Sequence, residues 1–139
     1  MILAVSHAVI ASDDVPRITR FLKDAFLLQP HFENEMFVEF VLPSKFRLAF
    51  FKPVGLSAKT FTASAERGTV GLGLTVNDVD AFYASLTPHL ATYGASTFGP
   101  PKTHPWGEKS FLLKDPDGNR WEITQSPTAE GYLSNRESQ

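Results

Sequence analysis

The feature that most limits what this chain can fold into is an order of elements that occurs twice. His7-Ala8-Val9-Ile10-Ala11-Ser12-Asp13-Asp14-Val15 lies over Gly71-Leu72-Gly73-Leu74-Thr75-Val76-Asn77-Asp78-Val79 without a gap. Strand falls on strand, cap on cap, and first helical residue on first helical residue. Only Asp14 and Val15 meet their own kind, so the register rests on apolar periodicity rather than on identity.

In the first half, Val5 to Ala11 reads as a buried strand. Asp13 and Asp14 supply an N-cap, and Pro16 sits in the first helical turn, where its missing N–H costs nothing. Val15, Ile18, Phe21, Leu22, Ala25 and Phe26 then recur at the three- and four-residue steps of one helical stripe, which Pro30 closes. His31-Phe32, Met36 to Leu42 and Phe46 to Lys52 follow as short strands, the last two joined by the turn Pro43-Ser44-Lys45.

The second half begins again with a strand from Thr69 to Val76. Asp78 caps a helix with the stripe Val79, Phe82, Tyr83, Leu86 and Leu90, and Gly94 ends it. Ala95 to Phe98 and Trp106 to Leu113 read as strands, and Asp115-Pro116-Asp117-Gly118 turns the chain into a last strand, Asn119 to Gln125. The reading is therefore an α+β chain with one domain over residues 1–126. It comprises two βαβββ modules, about 1–52 and 69–126, joined by a linker over 53–68 and followed by a polar tail over 127–139.

Composition removes several classes of function. A chain of 139 residues buries enough surface to fold without staples, and with no cysteine it holds no disulfide framework, thiolate zinc site, iron–sulfur cluster or thiol nucleophile. Fifteen acidic residues against thirteen basic ones leave a net charge of −2, without the clustered basic face that nucleic acid requires. No apolar run approaches the roughly 18 residues of a membrane span, and Met1 to His7 lacks the basic and apolar regions of a signal peptide. The expectation is a cytoplasmic protein with neither nucleic acid nor membrane as partner.

The segment Trp106-Gly107-Glu108-Lys109-Ser110-Phe111-Leu112-Leu113-Lys114-Asp115-Pro116-Asp117-Gly118-Asn119-Arg120-Trp121-Glu122-Ile123 resembles the last hairpin of the glyoxalase/bleomycin-resistance/extradiol-dioxygenase group, the vicinal oxygen chelate superfamily. The opening strand with His7 and the helix start Asp78-Val79-Asp80 support the resemblance, which spans nearly the whole chain. It implies paired modules forming a curved sheet around a ligand cavity, with helices outside. It also implies a homodimer, since an open curved sheet leaves edges and a half-covered cavity for a second subunit to close.

Strand parity assigns the faces. Leu72, Leu74, Val76, Trp121, Ile123, Ala8, Ile10, Leu48 and Phe50 are expected to pack under the helices. The ligand-facing set is then His7, Val9, Arg47, Ala49, Phe51, Gly71, Gly73, Thr75, Ser110, Leu112, Glu122 and Thr124, with Glu108 beside Ser110. Trp106, Phe98 and Phe37 are read as apolar surfaces of the same cavity.

Metal-dependent members of the group place ligands on the first and last strand of each module, which here means His7, Ala49 or a neighbour, Gly71 and Glu122. Ala49 and Gly71 have no donor, and two donors fall short of the three that catalytic zinc keeps. Metal-free ligand binding, of the kind that confers bleomycin resistance, is therefore the leading reading, with no cofactor. The alternative is a divalent-metal lyase or isomerase of glyoxalase type, with His7 and Glu122 on the metal and Glu122 as catalytic base. Fosfomycin-modifying activity is disfavoured, because Gly71 and Leu112 stand where relatives with that activity have donors, and ring-cleaving activity because only His7 and Glu122 could serve its two-His, one-carboxylate iron site and His7 does not obviously correspond.

His7 has two readings, a hydrogen-bonded cavity residue or a substrate contact, because imidazole exchanges protons near neutral pH. Glu122, set between two core-facing residues, points to a ligand, a metal or a partner. His31, His89 and His104 read as surface residues, and Glu33, Glu35 and Glu39 as a solvated strand face or edge.

Overall fold

The computed structural model describes residues 1–55, 58 and 71–125. They fall into two compact units, Met1–Thr69 and Val70–Gln139. The expected linker lies outside the described residues except for 53–55 and 58, as do the polar tail and the first two residues of the strand expected from Thr69.

The first unit runs β1 (His7–Ala11), α1 (Val15–Asp24), β2 (Pro30–Glu33), β3 (Phe37–Val41) and β4 (Arg47–Phe51). Its sheet has the order β1-β4-β3-β2, parallel between β1 and β4 and antiparallel elsewhere. Asp14 caps α1 by accepting a bond from the Arg17 amide at 3.1 Å, which satisfies one of the donors a helix start leaves over. The whole predicted stripe, Val15 to Phe26, is buried, as are Val38, Phe40, Leu48 and Phe50, and α1 contacts both β3 and β4. Lys23 in the last turn of α1 reaches Glu33 of β2 at 2.8 Å and braces the helix against the sheet edge.

The second unit repeats this plan as β5 (Gly71–Val76), α2 (Val79–Tyr93), β6 (Ser96–Thr97), β7 (Lys102–Thr103), β8 (Lys109–Lys114) and β9 (Arg120–Gln125). The order is β5-β9-β8-β6, again with first and last strand parallel, and β7 also pairs with β8. Asp78 accepts from the Ala81 amide at 3.0 Å, the counterpart of Asp14. Gly94 ends α2 at φ +73, a left-handed conformation that costs a side chain about 1–2 kcal/mol and glycine almost nothing. Gln125 Oε1 accepts from the Val79 amide at 2.9 Å, so the last strand of the unit holds the start of its helix. Lys109 is paired with Asp80 in the first turn of α2. Phe111 meets Tyr83 edge-on at 5.2 Å and is buried with Leu86, Leu90, Leu113, Trp121 and Ile123.

Three strands differ from expectation. The strand expected over Ala95 to Phe98 forms only at Ser96–Thr97, and pairing along β8 resumes at Lys102. Between them stand Gly99, at φ +110, and Pro100 and Pro101, which carry no N–H for a ladder. The strand expected from Trp106 starts at Lys109 instead, because Gly107 at φ +94 makes a turn whose amide bonds the His104 carbonyl at 2.9 Å. β1 likewise begins at His7 rather than Val5.

The Asp-Pro-Asp-Gly-Asn turn is built around a buried carboxylate. Asp115 Oδ1 accepts from the amides of Asp117 and Asn119, and Oδ2 from Asn119 Nδ2 and Trp121 Nε1, each at 2.9 Å. Four donors on two oxygens offset the cost of removing the charge from water. This arrangement fixes the hairpin that sets β8 beside β9. Among the described residues, no helix is long and apolar enough to cross a membrane.

Candidate functional site

Directly opposed residues on neighbouring strands share a face, so the register lays out the uncovered side of each sheet. In the second unit one row is Gly73, Glu122 and Leu112. Gly71, Arg120 and Lys114 lie on one side of it, and Thr75, Thr124 and Ser110 on the other. The alternate rows, Leu72-Trp121-Leu113 and Leu74-Ile123-Phe111, form the side that is buried. Parity therefore places Gly71, Gly73, Leu112 and Glu122 on the open face as the sequence predicted.

The Glu122 side chain is exposed there, and among the described residues its carboxylate has no hydrogen bond or ion pair. A Cβ built on Gly71 or Gly73 meets nothing within 4 Å, so clear space lies beside the carboxylate. Leu112, 49% exposed, forms the opposite wall of that space. At one end Arg120 covers the Phe98 ring at 4.8 Å, an arrangement that holds an exposed aromatic in place. At the other end Thr75 and Thr124 bring their hydroxyls to 3.4 Å.

Three residues around the Gly107 turn need correction. Ser110 does point to the open face, but it is buried there, hydrogen-bonded to His104 Nε2 at 2.7 Å. His104, expected as a surface loop residue, is half-buried and stacks on Trp106 with ring centroids 4.6 Å apart. Glu108 is not in β8 but in the preceding turn, exposed, with its carbonyl accepting from the His104 amide. The cause is the same Gly107 turn, which brings His104 back onto Ser110 with Trp106 stacked on the imidazole. Trp106 remains 72% exposed, an aromatic surface at the margin of the face.

In the first unit the open rows are His7-Arg47-Val41, Val9-Ala49-Glu39 and Ala11-Phe51-Phe37. His7 Nδ1 lies 2.7 Å from Ser6 Oγ and 3.4 Å from Arg47 Nη2. Ala49 is corrected from ligand contact to buried filler: it stands between Val9 and Glu39 in the row and is only 2% exposed. Glu39 is not a solvated edge residue, because His31 Nε2 bonds its carboxylate at 3.1 Å and leaves its side chain 17% exposed. A slip in the β2–β3 register between Pro30 and Phe32 is what turns His31 toward Glu39. His89, in α2 of the second unit, also differs from its reading, since it is half-buried rather than a surface residue.

Sequence reasoning missed Arg120, His104 and the His31–Glu39 pair. Arg120 was within reach of parity, lying two residues before Glu122 on the same strand. The other two depend on a turn and a register slip that no periodicity announces. A cleft of about 270 Å³ lined by Pro16, Thr19, Arg20, Lys23 and residues 33–35 lies beside α1, away from these open faces.

Within each described sheet, the neighbours of His7 and Glu122 add no metal donor. The residue opposite His7 is Arg47, whose guanidinium is a cation and cannot ligate, and the residues opposite Glu122 are Gly73 and Leu112. Among the described residues, no group of three His, Cys, Asp or Glu comes together to hold an ion.

The family model for the Glyoxalase/Bleomycin resistance protein/Dioxygenase superfamily matches residues 4–123. No curated protein matches the chain. Among solved structures, a glyoxalase-related enzyme from Fulvimarina pelagi superposes with a TM-score of 0.73 at 24% identity, over 91% of this chain and 90% of that one. A member of the same superfamily from Sphaerobacter thermophilus DSM 20745 gives 0.66 at 23% identity, over 90% and 98% of the two chains. A lactoylglutathione lyase from Agrobacterium tumefaciens gives 0.62 at 19% identity, over 88% and 93%. At these identities the likeness is one of fold.

Proposed function

Because the chain belongs to the Glyoxalase/Bleomycin resistance protein/Dioxygenase superfamily, we propose that it binds a small organic molecule on an open sheet face without a metal ion, as a cytoplasmic homodimer. The observation that carries this reading is Glu122, an exposed carboxylate with no protein partner among the described residues, beside the clear space over Gly73 and the apolar wall of Leu112. A charged acceptor next to uncovered apolar surface suits a ligand with an aromatic or aliphatic body and a cationic or N–H group. Phe98 and Trp106, both exposed on this unit, supply flat surfaces for such a body. Sequestration of such a compound, as in antibiotic resistance, is the biological role this chemistry serves.

The competing reading is a metal-dependent lyase, the activity named for one structure of similar fold. It requires a donor set that the guanidinium opposite His7 and the glycine opposite Glu122 do not provide. The test is a thermal-shift screen with aromatic and cationic compounds, followed by calorimetric titration of the best hit into wild type and Glu122→Gln. Losing the charge should weaken binding by about 1–3 kcal/mol with unfolding unchanged. Equal affinity for both proteins would remove Glu122 from the site. Stoichiometric divalent metal in protein purified without chelator would overturn the metal-free reading.

A further inference from the structure

The cleft beside α1 lies away from both open faces, and the proposed role of Glu122 leaves it unused. One wall is a single stripe of the helix, because Pro16, Thr19, Arg20 and Lys23 recur at the i, i+3, i+4 and i+7 steps that share a helical face. The other wall is the turn between β2 and β3, residues 33–35. Asn34 Oδ1 accepts from the amides of Met36 and Phe37 at 2.8 and 2.9 Å, and the Asn34 amide bonds the Phe37 carbonyl at 2.8 Å, so the turn is pinned. Lys23 ties the two walls together through its bond to Glu33 at 2.8 Å.

Two opposite charges in this cleft are left over. Arg20 and Glu35 are both exposed, and among the described residues neither has a hydrogen bond or an ion pair, with each other or with any other group. With Oδ1 taken by the turn, Asn34 keeps both Nδ2 hydrogens to donate. Thr19 Oγ1 donates to the Val15 carbonyl at 2.7 Å and keeps its lone pairs to accept. A guanidinium fork recognises a carboxylate, and a carboxylate recognises an ammonium. Glu35 repels a plain anion and Arg20 a plain cation, so only a molecule carrying both signs gains from both. The volume of about 270 Å³ is at the small end for a ligand pocket and suits few heavy atoms. We propose that this cleft is a second binding site, taking a small zwitterion of the free amino acid class, with its carboxylate on Arg20 and its ammonium on Glu35. The site uses neither Glu122 nor an open sheet face, so it stands or falls independently of the reading above.

The probes are L-alanine and β-alanine, with propionate and ethylamine as the fragments that either leaves on losing its ammonium or its carboxylate. Titrated into the full chain and followed by amide shifts, at least one amino acid should move the signals of Thr19, Arg20, Asn34 and Glu35. It should bind at least about tenfold tighter than either fragment, the worth of one further contact between charged groups. Arg20→Met should weaken that amino acid about tenfold to a hundredfold without weakening ethylamine, and Glu35→Gln should weaken it similarly without weakening propionate. Both side chains are exposed, so neither variant threatens the fold.

No binding of either amino acid, a fragment that binds as tightly as its parent, or full affinity in Arg20→Met or Glu35→Gln would overturn the zwitterion site. Shifts confined to residues of β8 and β9 would also overturn it, by placing the amino acid on the open face. The first reading is tested separately, since the compound that depends on Glu122 should bind Arg20→Met as it binds wild type. Failure of the amino acids leaves that reading standing, and failure of the Glu122-dependent binding leaves this one.

Discussion

Replacing Asp115 by Asn keeps the size of the side chain and removes what the hairpin depends on. In the native turn each carboxylate oxygen accepts two bonds, from the amides of Asp117 and Asn119 and from Asn119 Nδ2 and Trp121 Nε1. An asparagine offers one oxygen, and its amino group must face one of those donor pairs. Two bonds are lost outright and the other two lose their charge assistance. With bonds to a charged acceptor worth about 1.5–3 kcal/mol each and losses in a shared network less than additive, the substitution should cost about 3–5 kcal/mol.

That is a large part of the roughly 5–15 kcal/mol that holds a domain folded. The assay is urea unfolding followed by tryptophan emission, with Trp121→Phe as comparator. That change removes one of the four donors and a little volume, and should cost only about 1–2 kcal/mol. The consequence extends to function, since this turn joins β8, which carries Leu112, to β9, which carries Glu122. If Asp115→Asn is destabilised by less than Trp121→Phe, the carboxylate is not the organising centre of the turn and the argument fails.

Gly73→Leu should leave thermal unfolding within about 1 kcal/mol of wild type, since nothing lies within 4 Å of the new Cβ. The same side chain should abolish binding of the compound that depends on Glu122, by filling the space beside it; retained affinity would place that ligand elsewhere. The proposed homodimer predicts a dimer mass in sedimentation at roughly tens of micromolar protein, and a monomer under those conditions would refute it.

Much of the fold was legible because it follows from local rules. Both helix starts could be read from Asp14 and Asp78, both apolar stripes from three- and four-residue spacing, and the end of α2 from Gly94. Alternation along β5, β8 and β9 also puts Glu122, Leu112, Gly71 and Gly73 on one face, because a strand leaves side chains no third direction.

The neighbours of those residues are a different matter. That Arg47 faces His7, that Glu39 holds His31 and that His104 closes over Ser110 depend on which strands pair and on where a bulge or a turn shifts the register. Those choices are made by backbone hydrogen bonds between segments distant in sequence. The chain by itself thus determined the elements, their repetition and the side of each sheet on which a residue stands. Only the tertiary structure decided which groups touch, because contact across a sheet is set by inter-strand register, and periodicity within one strand carries no information about its partner.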